Sequence, residues 1–164
     1  KMTILDSGHR REFESGAVRD IAEGKGRCDL LPLEVLGTAM HDTVLCALGE
    51  FQRTGDVSFL YVALREAITA VGYTSYAHAM LEASKHFEAG AKKYDDNNWR
   101  KGIPVKCYID SAVRHYLKYA EGEEDEPHDR ATIWNIVCAI WTCENKAELN
   151  EYKGGARNDE NEGL

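Results

Sequence analysis

A chain of 164 residues with 43% hydrophobic and 29% charged content suits one domain around one core. Its net charge of −8 argues against a broad duplex-binding surface, because phosphate contacts need clustered Lys and Arg. No apolar run approaches the roughly 18 residues that span a bilayer, and no basic-then-apolar leader is visible, so neither membrane insertion nor secretion is expected.

Residues 1–31 read as an irregular N-terminal segment, punctuated by Gly8, Gly16, Gly24 and Gly26. Pro32 opens a helix expected to run to Gln52, with Leu33, Leu36, Met40, Val44, Leu45 and Leu48 as its apolar stripe. "RTGD" breaks it, and a second helix is expected over 57–71. Gly72 ends that one, and Thr74 or Ser75 can cap a third over 75–94. "DDNNWRKGIP" is a loop, followed by a fourth helix over 106–120.

The acidic stretch "YAEGEEDEPHD" comes next, with Asp125 as a possible cap and Pro127 suited to the first turn of a fifth helix. That helix, "HDRATIWNIVCAIWTC", is apolar nearly all round, as a central buried helix is. The expected architecture is all-α: a bundle of about five helices over 32–151, with a polar, mobile tail over 152–164. The five cysteines form no CxxC, and they suit a reduced, cytoplasmic setting.

Few constellations stand out by spacing. Asp110 and Arg114 form an i, i+4 pair, which an intrahelical ion pair explains. Glu82 and Glu88 cannot aim at one point from one helix, and Glu82 with His86 reads as a surface pair. Asn135 is different: a buried amide without partners costs about 1–3 kcal/mol, so it must bond something inside the bundle. Lys25 with Arg27, Lys92 with Lys93, and Arg100 with Lys101 are the grouped bases, and Asn98 and Trp99 lie between the last two pairs. Carboxylates, a divalent cation, Lys/Arg and an aromatic together make a nucleoside triphosphate site chemically reasonable.

The stretches "GAVRDIAEGKGRCDLLP" (16–32), "HFEAGAKKYDDNNWRKGIP" (86–104), "YIDSAVRHYLKYAEGEEDEPHD" (108–129) and "IWN" (133–135) resemble the dATP/dGTP diphosphohydrolases common in bacteriophages and prophages. The likeness covers most of 6–145 and is weakest over 38–76. This family is similar to the MazG-like all-α NTP pyrophosphatases, which are usually oligomeric and bind Mg²⁺ or Mn²⁺ through helix-borne carboxylates. The resemblance implies hydrolysis of dGTP or dATP to the monophosphate and pyrophosphate, a purine nucleotide as ligand, and a homo-oligomer in the host cytoplasm. It points to Glu88, Asp110 and Asp125 as metal ligands, with Glu82 and Glu123 as further candidates. Lys25, Arg27, Lys92, Lys93 and Arg114 would hold phosphates, Asn98 and Trp99 would position base or sugar, and His115 and His128 would orient water or ligands. Two departures from the wider pattern are visible: the ExxE/ExxD signature lacks its ExxE in the third helix and is met by "EPHD" only at a helix start, and Ala131 stands where related sequences often carry a second His three residues after His128. They motivate an alternative, a non-catalytic protein that sequesters nucleotides or host cyclic-nucleotide signals.

Overall fold

The computed structural model describes residue 4 and residues 6–154. Among these, six α-helices carry the fold: α1 (Leu33–Met40), α2 (Thr43–Thr54), α3 (Ser58–Ala70), α4 (Tyr76–Lys93), α5 (Val105–Glu121) and α6 (His128–Asn145). A two-stranded antiparallel hairpin, β1 (Arg10–Glu12) with β2 (Val18–Asp20), precedes them. No described helix is long and apolar enough to cross a membrane. The expected all-α bundle is what forms, and the tail beyond residue 154 lies outside the described residues.

The helix α6 is the centre, packed against α3, α4 and α5. Ile133, Ile136, Cys138 and Ala139 are fully buried on it, and they meet a core that includes Leu48, Phe51, Leu60 and Ile109. Three of the four buried polar residues of α6 bond within the helix. Thr132 Oγ1 donates to the His128 carbonyl, Thr142 Oγ1 to Cys138 and Asn135 Nδ2 to Ala131, each at 2.8 Å. Bonding one turn back serves these donors within the helix and leaves Asn135 Oδ1 to be met from elsewhere.

Two sequence expectations change. The helix expected over 32–52 is two helices, because His41 takes a left-handed backbone (φ 52°) and Asp42 caps the second by accepting from Leu45 N at 2.9 Å. The chain can fold back here because Gly37 and Gly49 have no Cβ. One at Gly37 would meet the backbone of Cys46, and one at Gly49 the backbone of Glu34. Gly49→Ala is therefore expected to lower unfolding free energy by about 1–3 kcal/mol through overpacking, despite Ala's better helix propensity. Gly90, interior to α4 with open space around it, serves as the contrast. There Gly90→Ala is expected to add about 0.5–1 kcal/mol. Urea melts of the two variants should move in opposite directions, and two shifts of the same sign would refute the contact argument.

The second change is the hairpin inside the supposedly irregular N-terminal segment. Asn98, buried in a short 3₁₀ turn (Asn98–Lys101), holds it in place. Its Oδ1 accepts from Val18 N at 2.9 Å and its Nδ2 donates to Val18 O at 2.8 Å, as a neighbouring strand residue would. Beyond the bundle, Tyr152 packs edge-on against Phe51, with ring centroids 5.3 Å apart.

Candidate functional site

The hairpin, α4, the 98–101 turn, α5 and α6 enclose a cavity of about 920 Å³, within the range of sites that bury a drug-sized ligand. One wall is aromatic. Trp134 lies 5.9 Å from both Phe87 and Tyr108 between ring centroids, and Phe87 lies 5.4 Å from Trp99. Such edge-to-face contacts fix the ring planes.

Arg19, from β2, sits on that wall. Its guanidinium carbon lies 5.1 Å from the Tyr108 ring centre and 5.8 Å from that of Trp134. Its Nη2 donates to Ser111 Oγ at 3.1 Å and to Asn135 Oδ1 at 3.0 Å. Arg19 is thus the partner that the buried Asn135 requires.

Among the described residues, five buried side-chain atoms have no hydrogen-bond partner, and four belong to residues lining this cavity: Arg11 Nε, Arg19 Nη1, His86 Nδ1 and Trp134 Nε1. An unmade bond at a buried polar atom costs about 1–3 kcal/mol, so their concentration here makes this cavity the candidate site. His86 does not sit on the surface as the spacing suggested. Its ring packs 5.3 Å from Trp134, and burial pulls its pKa down to about 4.

Charge is arranged around the rest of the cavity. Lys93 Nζ lies 2.6 Å from Asp20 Oδ2, and the Tyr94 hydroxyl donates to Asp20 Oδ1 at 3.1 Å. Asp110, buried, accepts from Cys28 N at 2.7 Å through Oδ1 and from Arg114 through Oδ2. Arg114 also donates to the carbonyls of Lys25 (3.2 Å) and Gly26 (2.8 Å). The Asp110–Arg114 pair therefore clamps the 25–28 segment onto α5.

A histidine pair stands at the junction of α5 and α6. His115 Nδ1 and His128 Nδ1 are 2.9 Å apart, and His128 Nε2 contacts Asp125 Oδ1 at 2.7 Å. Burial, and next the neighbouring His128, hold the pKa of His115 well below the usual imidazole value. The hydrogen bond from His128, helped by Lys118, lowers that of Asp125. Asp125 thus does not cap the backbone of α6 but fixes the ring of its first residue.

Among the described residues, two groups have ligand atoms within 4.8 Å of one another: His115, Glu126 and His128, and Glu123, Asp125 and His128. In the second, Lys118 already approaches Glu123 at 2.9 Å and Asp125 at 3.2 Å. The first is a carboxylate with two imidazole nitrogens at a spacing one small ion can bridge, and His115 and Glu126 both line the cavity. Its donor set fits a divalent cation.

The metal set expected from the sequence does not come together as a group. Glu82 is held by Lys85 and by Arg130 (2.7 Å), away from the cavity, because both cations reach it from its own and the neighbouring helix. Glu88 stands at the rim beside Lys92, on an exposed part of α4. Asp110 is committed to its clamp. Only Glu123 and Asp125 meet, with His128.

Of the expected phosphate ligands, Lys25, Lys93 and Arg114 line the cavity. Arg27 pairs instead with Asp29 (2.5 Å) in a smaller cavity of about 200 Å³, and Lys92 is exposed. Trp99 and Asn98 line the main cavity, His115 faces it, and His128 lies buried behind His115. Sequence reasoning missed Arg19, Arg11, Lys118 and Glu126. The demand of Asn135 for a partner was the one signal that could have found Arg19.

A family model described as "dATP/dGTP diphosphohydrolase, N-terminal" matches residues 66–152. No curated protein and no solved structure matches the chain.

Proposed function

The chain belongs to the family described as dATP/dGTP diphosphohydrolase, N-terminal, and on that premise we propose that it hydrolyses a purine deoxynucleoside triphosphate to the monophosphate and pyrophosphate. The observation that carries the reading is the cavity itself, with aromatic rings, unpartnered buried polar atoms and lysines on its walls and, at its edge, a carboxylate and two imidazoles close enough to hold a cation. Water forms a bond to the α-phosphorus, the bond to the α,β-bridging oxygen breaks, and pyrophosphate leaves. Lys25, Lys93 and Lys118 line the cavity and offset the charge that develops on the phosphates. Trp134 and Trp99 offer faces for the base.

His115, Glu126 and His128 would hold the cation, and Asp125 would fix the His128 tautomer from behind. Imidazole in the set suits Mn²⁺ better than Mg²⁺. Such an ion supplies Lewis-acid polarisation and charge compensation at the phosphates. Asp125→Asn is expected to weaken Mn²⁺ binding about 10–100-fold by titration calorimetry, since it removes the acceptor that orients the ring. An unchanged affinity would exclude that role.

A second reading is sequestration without hydrolysis. It is favoured by the ion pairs that already compensate Asp20, Asp110 and Asp125, so that a nucleotide could be held without a metal. Incubation with dGTP or dATP and Mn²⁺ or Mg²⁺ separates the two. Pyrophosphate release supports the enzyme, whereas tight binding with intact nucleotide recovered after denaturation supports sequestration. The reading also includes self-association through the exposed Tyr76 and Leu81 of α4, in the reducing cytoplasm that five free cysteines suit, whether of a phage-infected cell or another host.

A further inference from the structure

We propose that Arg19 reads the base in this site and selects guanine over adenine, a proposal that rests on the cavity being a purine nucleotide site. Arginine and the indole of tryptophan are donors only. Arg19 Nη1 and Trp134 Nε1 are both buried, both unpartnered, and belong to side chains in contact, with the guanidinium 5.8 Å from the indole centre. This part of the wall therefore asks its ligand for acceptors.

Guanine presents two adjacent acceptors, O6 and N7. Adenine puts an amino donor where O6 would be. Against this wall an adenine would set donor against donor and leave buried N–H groups unpaired. Sites built for one hydrogen-bonding edge reject the wrong edge far more strongly than a missing methylene.

The opposite option has less support on this wall. An amide side chain is the usual reader of adenine, and each of the two buried amides on the cavity wall already holds a partner at both ends. Asn135 donates to Ala131 O and accepts from Arg19. Asn98 donates to Val18 O and accepts from Val18 N. Arg19 itself is held in place, because Nη2 is anchored on Ser111 and Asn135 while its guanidinium carbon lies 5.1 Å from the Tyr108 ring centre. The guanidinium is thus fixed against the aromatic rings on which a planar base stacks.

The test is calorimetric binding of the α,β-methylene analogues of dGTP, dITP and dATP, which cannot be cleaved at the scissile bond. The dITP analogue keeps O6 and N7 but lacks the 2-amino group. The dGTP and dITP analogues should bind within about threefold of each other and the dATP analogue roughly tenfold or more weakly. Arg19→Lys keeps the charge and loses the fork. It should bring the guanine and hypoxanthine analogues to the level of adenine, leaving the last within about threefold. Ser111→Ala, which removes one anchor of the guanidinium, should narrow the ratio in the same direction and serves if the lysine variant fails to fold.

Equal affinity for guanine and adenine analogues would overturn the proposal while leaving a nucleotide site intact. A uniform loss for all three on Arg19→Lys would make Arg19 a phosphate ligand instead. Binding of none would overturn it together with the reading on which it rests.

Discussion

Glu126→Gln is expected to lower pyrophosphate release from dGTP, at saturating substrate and Mn²⁺, by at least about 100-fold. Outer partners of metal ligands already cost about 10–100-fold when removed, so a direct ligand should cost no less. The substitution keeps the shape of the side chain and removes only its charge, and the residue lies ahead of α6 rather than in the core, so the fold should survive. Glu124→Gln is the control. Glu124 is exposed, two residues away in the same acidic stretch, and outside both groups that could hold a cation. Turnover should be unchanged there. If Glu126→Gln turns over like the parent protein, the cation is not held by the group of His115, Glu126 and His128.

Acid should unfold this protein earlier than its carboxylates alone would dictate. His86 is held by burial at a pKa of about 4, against 6.5 for a free imidazole. Between those values the unfolded chain takes up a proton that the folded chain refuses. Stability is therefore full above pH 6.5 and falls as the pH drops toward 4. At pH 4.5 the loss from this one residue is on the order of 2–3 kcal/mol. His115, also pushed down by burial, acts in the same direction. Urea melts at pH 7 and pH 4.5 of the parent and of His86→Gln measure it, the variant losing correspondingly less on acidification. An equal loss in both would mean that His86 is as accessible to protons folded as unfolded.

What could be read in the sequence follows from which interactions are local. Apolar periodicity placed α3, α4, α5 and α6 near their observed bounds. Ser75 capped α4 as expected, accepting from His78 N at 3.2 Å, and α6 was recognised as central from its all-round apolar face. The break between α1 and α2 was missed because His41 takes a left-handed turn that an imidazole adopts only in context, although Asp42 was a legible cap. The hairpin was missed because strands of three residues are too short to show alternation, and its anchor, Asn98, lies 80 residues away.

The site divides in the same way. Asp110 and Arg114 pair within one helix, so their contact was legible, but its purpose, clamping residues 25–28, was not. The contact between Arg19 and Asn135 spans 116 residues. Burial told that Asn135 needed a partner but not which one. The resemblance pointed to Glu88, with Glu82 as a further candidate, and lysines and an arginine hold both elsewhere. In "YAEGEEDEPHD" the resemblance singled out Asp125 and His128, and the structure sets His115 beside them from α5.

The decisive observation is where a divalent cation and a nucleotide bind together. Crystals grown with Mn²⁺ and the α,β-methylene analogue of dGTP, measured for manganese anomalous scattering, decide it. The expected result is one peak among His115, Glu126 and His128, with the base against Trp134 and Arg19. A peak held by Glu82 or Glu88, or a nucleotide bound outside this cavity, would contradict it.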